Sequence, residues 1–198
     1  MKTIDYFVVP SSPWAYLGHA RFVGLARRHD AQIHLKPFDL GRVFPLSGGL
    51  PLPKRAPQRQ AYRLIELERW SRHLGVALNR QPKHFPVAAD PAALAIIAVE
   101  RACGTDAALT FTAGVMAALW AQERDIADPS VLVSIANEAG LDGARLVAQS
   151  DAARPEYERN TQQAIDAGVF GAPWYVYRGE PFWGQDRLDF VERALASA

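Results

Sequence analysis

Apolar positions first gather in a short run from Ile4 to Val9, which has the length of a buried strand. Directly after it, Tyr16, Ala20, Val23 and Leu25 mark one side of a helix from Pro13 to about Arg28, and Gln32 to Phe38 then alternates Ile33 and Leu35 with polar neighbours as a strand does. These three segments predict a βαβ unit. A right-handed crossover places its strands parallel, with the helix on one face of their sheet. After Phe38 the cluster Gly48-Gly49-Leu50-Pro51-Leu52-Pro53, followed by Pro57, breaks regular structure and predicts a loop bordering the site.

Past that loop the pattern turns helical. Leu64, Leu67 and Trp70 recur at helical spacing over 58–73, with Gly75 as a stop, and Asp90-Pro91 opens a helix carrying Leu94, Ile97 and Ala98 that Gly104 ends. Further helices are predicted over 106–122, from Asp128-Pro129 to Ala139-Gly140, over 141–148 and over 155–167, the last stopped by Gly168. Trp174 to Tyr177 and Pro181 to Trp183 flank the turn residues Arg178-Gly179-Glu180 as an antiparallel hairpin, and Asp186 to Ala196 closes as a helix with Leu188, Val191 and Leu195 along one side. The order βαβ, helical insert, ββα is that of an α/β, thioredoxin-like fold with a large all-helical insertion. The expected division is a discontinuous thioredoxin-like domain, 1–57 and 168–198, and a helical insertion, 58–167.

Composition narrows the function classes. The chain has 198 residues, 49% hydrophobic, enough for a substantial core without cross-links. Its net charge of +1, from 22 basic and 21 acidic residues without a basic run, offers no footprint for nucleic acid or a membrane surface, so small-molecule chemistry is the expectation. Asp5 interrupts the first apolar run, so the start does not read as an export signal, and the expected location is the cytoplasm. A single cysteine, Cys103, excludes an internal disulfide or a CxxC pair and is expected to be an inert buried thiol. His19, His29, His34, His73 and His84 lack the spacing of metal ligands, so surface or core roles are expected.

The most informative point is the hand-over from strand to helix at Ser11-Ser12-Pro13. Ser12 falls at the N-cap and Pro13 at the first helical position, which aims free backbone N–H groups and the positive end of the helix dipole at whatever lies beside the hydroxyl. Such a place favours an anion. A plain helix cap, worth about 1 kcal/mol, is the alternative reading of an isolated Ser-Pro pair.

Several motifs in order carry a resemblance over essentially the whole chain. Ser12-Pro13 with Tyr16-Leu17, Tyr62 with Glu66 and Trp70, Phe85-Pro86, Gly168-Val169-Phe170-Gly171-Ala172-Pro173 and Phe182-Trp183-Gly184-Gln185-Asp186-Arg187-Leu188 resemble the 2-hydroxychromene-2-carboxylate isomerases, relatives of kappa-class glutathione transferases and of DsbA. The resemblance implies a glutathione-dependent isomerase that opens the ring of 2-hydroxychromene-2-carboxylate, or a related ring-fused aromatic hydroxy acid, to a trans-o-hydroxybenzylidenepyruvate. Thiolate addition to the conjugated double bond, bond rotation and thiolate expulsion would return glutathione unchanged. A homodimer and a role in aromatic catabolism are also implied.

Under that resemblance Ser12 is the catalytic residue, a donor that stabilises the thiolate at a helix N-terminus where thiol pKa values fall. Ala172-Pro173 is similar to the cis-proline turn of thioredoxin-like folds, which leaves the backbone before the proline free to pair with a peptide ligand such as glutathione. Gln185 and Asp186, at the start of the last helix, are implied to receive the γ-glutamyl end, and Arg59 to offer positive charge where relatives carry lysine; Lys54, farther upstream, is the competing candidate. The Gly-Asn of relatives appears here as Gly48-Gly49. Trp14, Tyr16, Trp174 and Trp183 are candidate walls for an aromatic substrate. Two other functions stay open at this point: a kappa-like transferase that consumes glutathione, and a non-catalytic thioredoxin-like module that holds extended peptides.

Overall fold

The computed structural model describes residues 1–197. Strand β1 (Lys2–Val8) leads through helix α1 (Pro13–Arg28) to strand β2 (Ala31–Pro37), and the two strands pair in parallel with Ile4 opposite Ile33 and Tyr6 opposite Leu35. Near the other end of the chain, β3 (Trp174–Tyr177) and β4 (Glu180–Trp183) form a hairpin, and β3 docks antiparallel on β1 with Tyr6 opposite Tyr175 and Phe7 opposite Trp174. The sheet order is therefore β2-β1-β3-β4. Sequence-distant ends of the chain meet at the central strand.

Because successive strand side chains point to opposite faces, β1 feeds two cores. Ile4, Tyr6 and Val8 join Ile33, Leu35, Tyr175 and Tyr177 in the larger cluster, which α1 completes with Ala15, Phe22 and Leu25. Phe7 and Val9 face the other way, against Phe38, Val43, Ala164 and Trp174. Between β2 and β3 the chain runs through α2 (Leu40–Ser47), α3 (Pro57–Leu74), α4 (Asp90–Cys103), α5 (Thr105–Ala121), α6 (Pro129–Glu138), α7 (Gly143–Ala148) and α8 (Arg154–Asp166), and α9 (Leu188–Ala196) closes it. Phe111, Val115, Met116 and Trp120 of α5 share the larger core with the sheet.

Helix α2 fills the stretch between Phe38 and the predicted Gly48–Pro57 loop, to which the sequence pattern assigns no element. Asp39 supplies the start, its side chain accepting hydrogen bonds from the N–H groups of Gly41 (2.8 Å) and Arg42 (3.4 Å), and Gly48, at φ 73°, supplies the end. The internal Pro45 hid this helix, since it removes a backbone donor from an element of only eight residues. Cys103 is a correction: at the last position of α4 its thiol is exposed, not buried. Both Phe85-Pro86 and the anticipated Ala172-Pro173 are cis.

His19 occupies the core beneath α1. Its Nε2 lies 3.0 Å from the Leu109 carbonyl and its Nδ1 3.2 Å from the Tyr6 hydroxyl. A carbonyl can only accept, so Nε2 carries the hydrogen and Nδ1 accepts from tyrosine. Burial outweighs the carbonyl bond and holds the imidazole pKa below its ordinary 6.5. Since the unfolded chain binds this proton more readily, the stability His19 contributes is present above about pH 6.5 and is lost as pH falls through and below that value. Urea midpoints measured between about pH 7.5 and pH 5 are expected to fall on the acid side, with a shallower slope in His19→Gln. An equal slope in the variant would remove His19 from this role.

Candidate active site

At the carboxyl end of β1 the chain turns so that Ser12 N–H donates to the Val9 carbonyl at 2.9 Å, and Ser12 itself is extended at φ −81°, ψ 121°. Its hydroxyl oxygen accepts from Ala15 N–H at 3.2 Å, capping α1, and donates to the Ala172 carbonyl at 3.0 Å. The serine is thus both a cap and a bridge to the cis-proline turn. An anion brought to this point gains the helix dipole and, by rotation of one hydroxyl hydrogen, a donor that now serves a neutral carbonyl.

Beside Ala172 opens a cavity of about 880 Å³ between α3 and the β4–α9 rim. Trp14 and Ala172 reach it from α1 and the cis-proline turn, Arg55, Arg59, Tyr62, Arg63, Glu66 and Trp70 from α3 and its lead-in, and Trp183, Asp186 and Phe190 from the rim. Ser12 does not itself line this space; it borders it through the bond to Ala172. Among the described residues no group of three His, Cys, Asp or Glu could hold a metal ion, and no helix is long and apolar enough to cross a membrane.

The cavity is electrostatically lopsided. Glu66 pairs with Arg69, outside the cavity lining, and Asp186 pairs with Arg187 at 2.7 Å. Arg55 donates to the Leu50 carbonyl at 2.8 Å, and burial, then the neighbouring Arg59, lowers its pKa. The Arg63 guanidinium is pushed down to about 10 by burial and by the Arg55 charge. One wall therefore presents positive charge that neighbouring acids do not neutralise.

The chain as a whole has counterparts among known proteins. A family model described as the DSBA-like thioredoxin domain matches residues 3–196. The 2-hydroxychromene-2-carboxylate isomerase of Sphingobium xenophagum is 32% identical, the alignment covering 98% of each chain. The chain belongs to the 2-hydroxychromene-2-carboxylate isomerase family. A solved 2-hydroxychromene-2-carboxylate isomerase superposes with a TM-score of 0.84 at 25% identity, over 98% of this chain and 95% of that one. In fold alone it is also similar to the cytosolic disulfide reductase DsbM of Pseudomonas aeruginosa, solved with GSH, at TM-score 0.69 and 18% identity over 98% of both chains.

As a member of the isomerase family, the chain is an enzyme of that type, and its residues sort as follows. Trp14 and Trp183 do line the cavity, as does Arg59, whereas Lys54 does not. Tyr16 lies two positions beyond Trp14, about 200° around the helix, and donates instead to the Ala77 carbonyl at 2.8 Å. Trp174 is buried against the second core and meets Phe170 edge-on at 4.7 Å, because its register partner Phe7 points to that face. Neither Tyr16 nor Trp174 is a wall of this cavity. Pro173 contributes through its carbonyl, which accepts from Gly184 N–H at 3.0 Å and ties the cis-proline turn to the rim.

Gln185 also lines the cavity, and its side chain has a structural partner besides. It is only 2% exposed, and its side-chain oxygen accepts from Arg21 Nη1 at 2.9 Å, so that oxygen is already committed. The turn Gln185–Arg187 sits against α1 at Gly18, where a Cβ would lie 2.6 Å from the Gln185 Cβ. Gly184 enters that turn at φ 98°, a conformation suited to glycine, and leaves Asp186 on the cavity side. Arg55, Arg63 and Phe190 were not singled out as site residues, and Tyr62, Glu66 and Trp70 entered only as family motifs. The signal for most of them was the 59, 62, 63, 66, 70 spacing, which places them on one side of α3. Gly18→Ala is expected to lower unfolding free energy by about 1–3 kcal/mol, read from urea denaturation, because it wedges the Gln185 turn off α1. A neutral substitution would show that the turn relaxes freely.

Proposed function

We propose that this protein is a glutathione-dependent isomerase acting on 2-hydroxychromene-2-carboxylate or a related ring-fused aromatic hydroxy acid. The observation that carries the reading is the Ser12 hydroxyl at a helix N-terminus, bonded to the carbonyl of the residue before a cis proline, at the edge of a cavity with aromatic and cationic walls. The cavity volume falls within the range of small-molecule sites, about 300–1,000 Å³. The donor set fits glutathione as well. Ala172 offers backbone groups beside Ser12, Asp186 a carboxylate for an ammonium, and Arg59 a guanidinium for a carboxylate. Gln185 holds the turn that carries Asp186.

When bound, glutathione supplies a thiolate able to add reversibly to a conjugated double bond, which frees rotation before the sulfur departs. Ser12 serves that chemistry as a hydrogen-bond donor, turning its proton from Ala172 toward the anion while the α1 dipole favours the ionised form. Trp14 and Trp183 flank the aromatic rings, and the arginines of the α3 wall attract the acid group. The fold neighbour DsbM, solved with GSH, supports a tripeptide site on this frame.

Isomerisation of 2-hydroxychromene-2-carboxylate, followed by absorbance with substoichiometric glutathione, tests the proposal. Many turnovers per glutathione are expected, and Ser12→Ala is expected to lower kcat/KM by about 10²-fold or more with the circular dichroism spectrum retained. Stoichiometric loss of glutathione would instead indicate a kappa-like transferase. Turnover that needs no thiol, or that survives Ser12→Ala unchanged, would defeat the assignment.

A further inference from the structure

Arg63 stands apart from the other charged groups of the cavity. Its guanidinium carbon sits 5.2 Å from the Phe85 ring centroid and 5.7 Å from that of Trp120, rings whose own centroids are 4.9 Å apart. Trp120 is fully buried on α5, so the platform under the guanidinium is rigid. Among the described residues Arg63 has no carboxylate within 4.0 Å and donates no hydrogen bond. The nearby acid on its own helix, Glu66, is taken by Arg69, while Arg55 adds like charge. A half-buried cation without an anion costs stability that packing against two rings only partly offsets. Both rings lie to one side of the guanidinium, and a guanidinium's planar fork of N–H donors can take a carboxylate in two parallel bonds.

We propose that Arg63 is a specificity-determining residue that binds the carboxylate of a planar aromatic acid, separately from Arg59, which serves the tripeptide. This assignment deepens the proposed isomerase function and rests on it for the identity of the reaction. The anion site itself depends on Arg63, its aromatic platform and the open cavity beside it. A substrate held there presents its ring to the aromatic walls contributed by Tyr62, Trp70 and Trp183 and its acid group to a fixed cation. Neutral electrophiles of the same shape gain only the first of these contacts, so the cavity selects acids.

Calorimetric titration with 2-naphthoate and with 2-naphthamide, which matches its shape without the charge, separates the contributions. The wild-type protein is expected to bind 2-naphthoate roughly tenfold or more tightly than the amide. Arg63→Gln is expected to reduce that preference to within about twofold while leaving glutathione affinity unchanged, and Arg59→Gln to weaken glutathione while keeping the naphthoate preference. Arg63→Lys retains charge but not the planar fork, so an intermediate preference is expected and guards against a folding defect in Arg63→Gln. Absence of saturable naphthoate binding, equal wild-type affinity for both probes, or a preference that survives Arg63→Gln would overturn the proposal. If glutathione fails to bind while the naphthoate pattern holds, the thiol-dependent reaction falls and the acid site remains.

Discussion

A single hydrogen bond, from the Ser12 hydroxyl to the Ala172 carbonyl, joins residues 160 positions apart and sets the geometry on which the candidate site depends. It can form only because β3 docks on β1, which brings the cis-proline turn to the N-terminus of α1. Ala15 N–H completes the arrangement by donating to the same oxygen. The hydroxyl is therefore oriented from both sides. A donor held this way requires a rotation of one bond, not a search over rotamers, when a stronger acceptor arrives.

The rim opposite is positioned by equally long-range contacts. Arg21 reaches from α1 to the Gln185 side chain, and the missing Cβ of Gly18 lets the Gln185 turn lie directly on the helix. Pro173 and Gly184 are tied backbone to backbone. Thus α1 supports the serine at its first turn and the rim farther along, so one rigid element fixes both ends of the proposed tripeptide strip. The α3 wall contributes charge instead of order. Of the acids that share the cavity, Glu66 is paired with Arg69 and Asp186 with Arg187, and Glu180 lies on the opposite rim, while the low-polarity platform beneath Arg63 makes its charge harder to solvate.

Much of the architecture was legible because local patterns and tertiary needs agree. The strand Ile4 to Val9, the Ser12-Pro13 helix start, the Gly75 stop and the closing ββα all follow from periodicity and capping, and the structure places them within a residue or two. Helix α2 escaped notice because Pro45 argues against a helix that Asp39 and tertiary packing nevertheless sustain. Site residues were harder for a related reason. An aromatic residue announces its chemistry but not the face it takes: Trp14 and Trp183 reach the cavity, while Tyr16 turns to Ala77 and Trp174 follows Phe7 into the second core. The commitment of Gln185 to Arg21, 164 positions away, has no local signature at all.

The distribution of sulfur and hydroxyl sharpens the chemical consequence of this frame. Cys103 is the sole cysteine, and it is exposed at the end of α4, whereas the strand-to-helix turn holds Ser12. A hydroxyl there is a poor nucleophile at neutral pH but a good donor, and a helix N-terminus stabilises an anion without bonding covalently to it. For the proposed reaction this division has a kinetic advantage. A sulfur nucleophile brought in by a small molecule, stabilised but never bonded by the protein, can add to a double bond and leave again with no disulfide or acyl link to resolve. A cysteine in place of Ser12 would instead set a second nucleophile beside that sulfur, competing with it for the double bond.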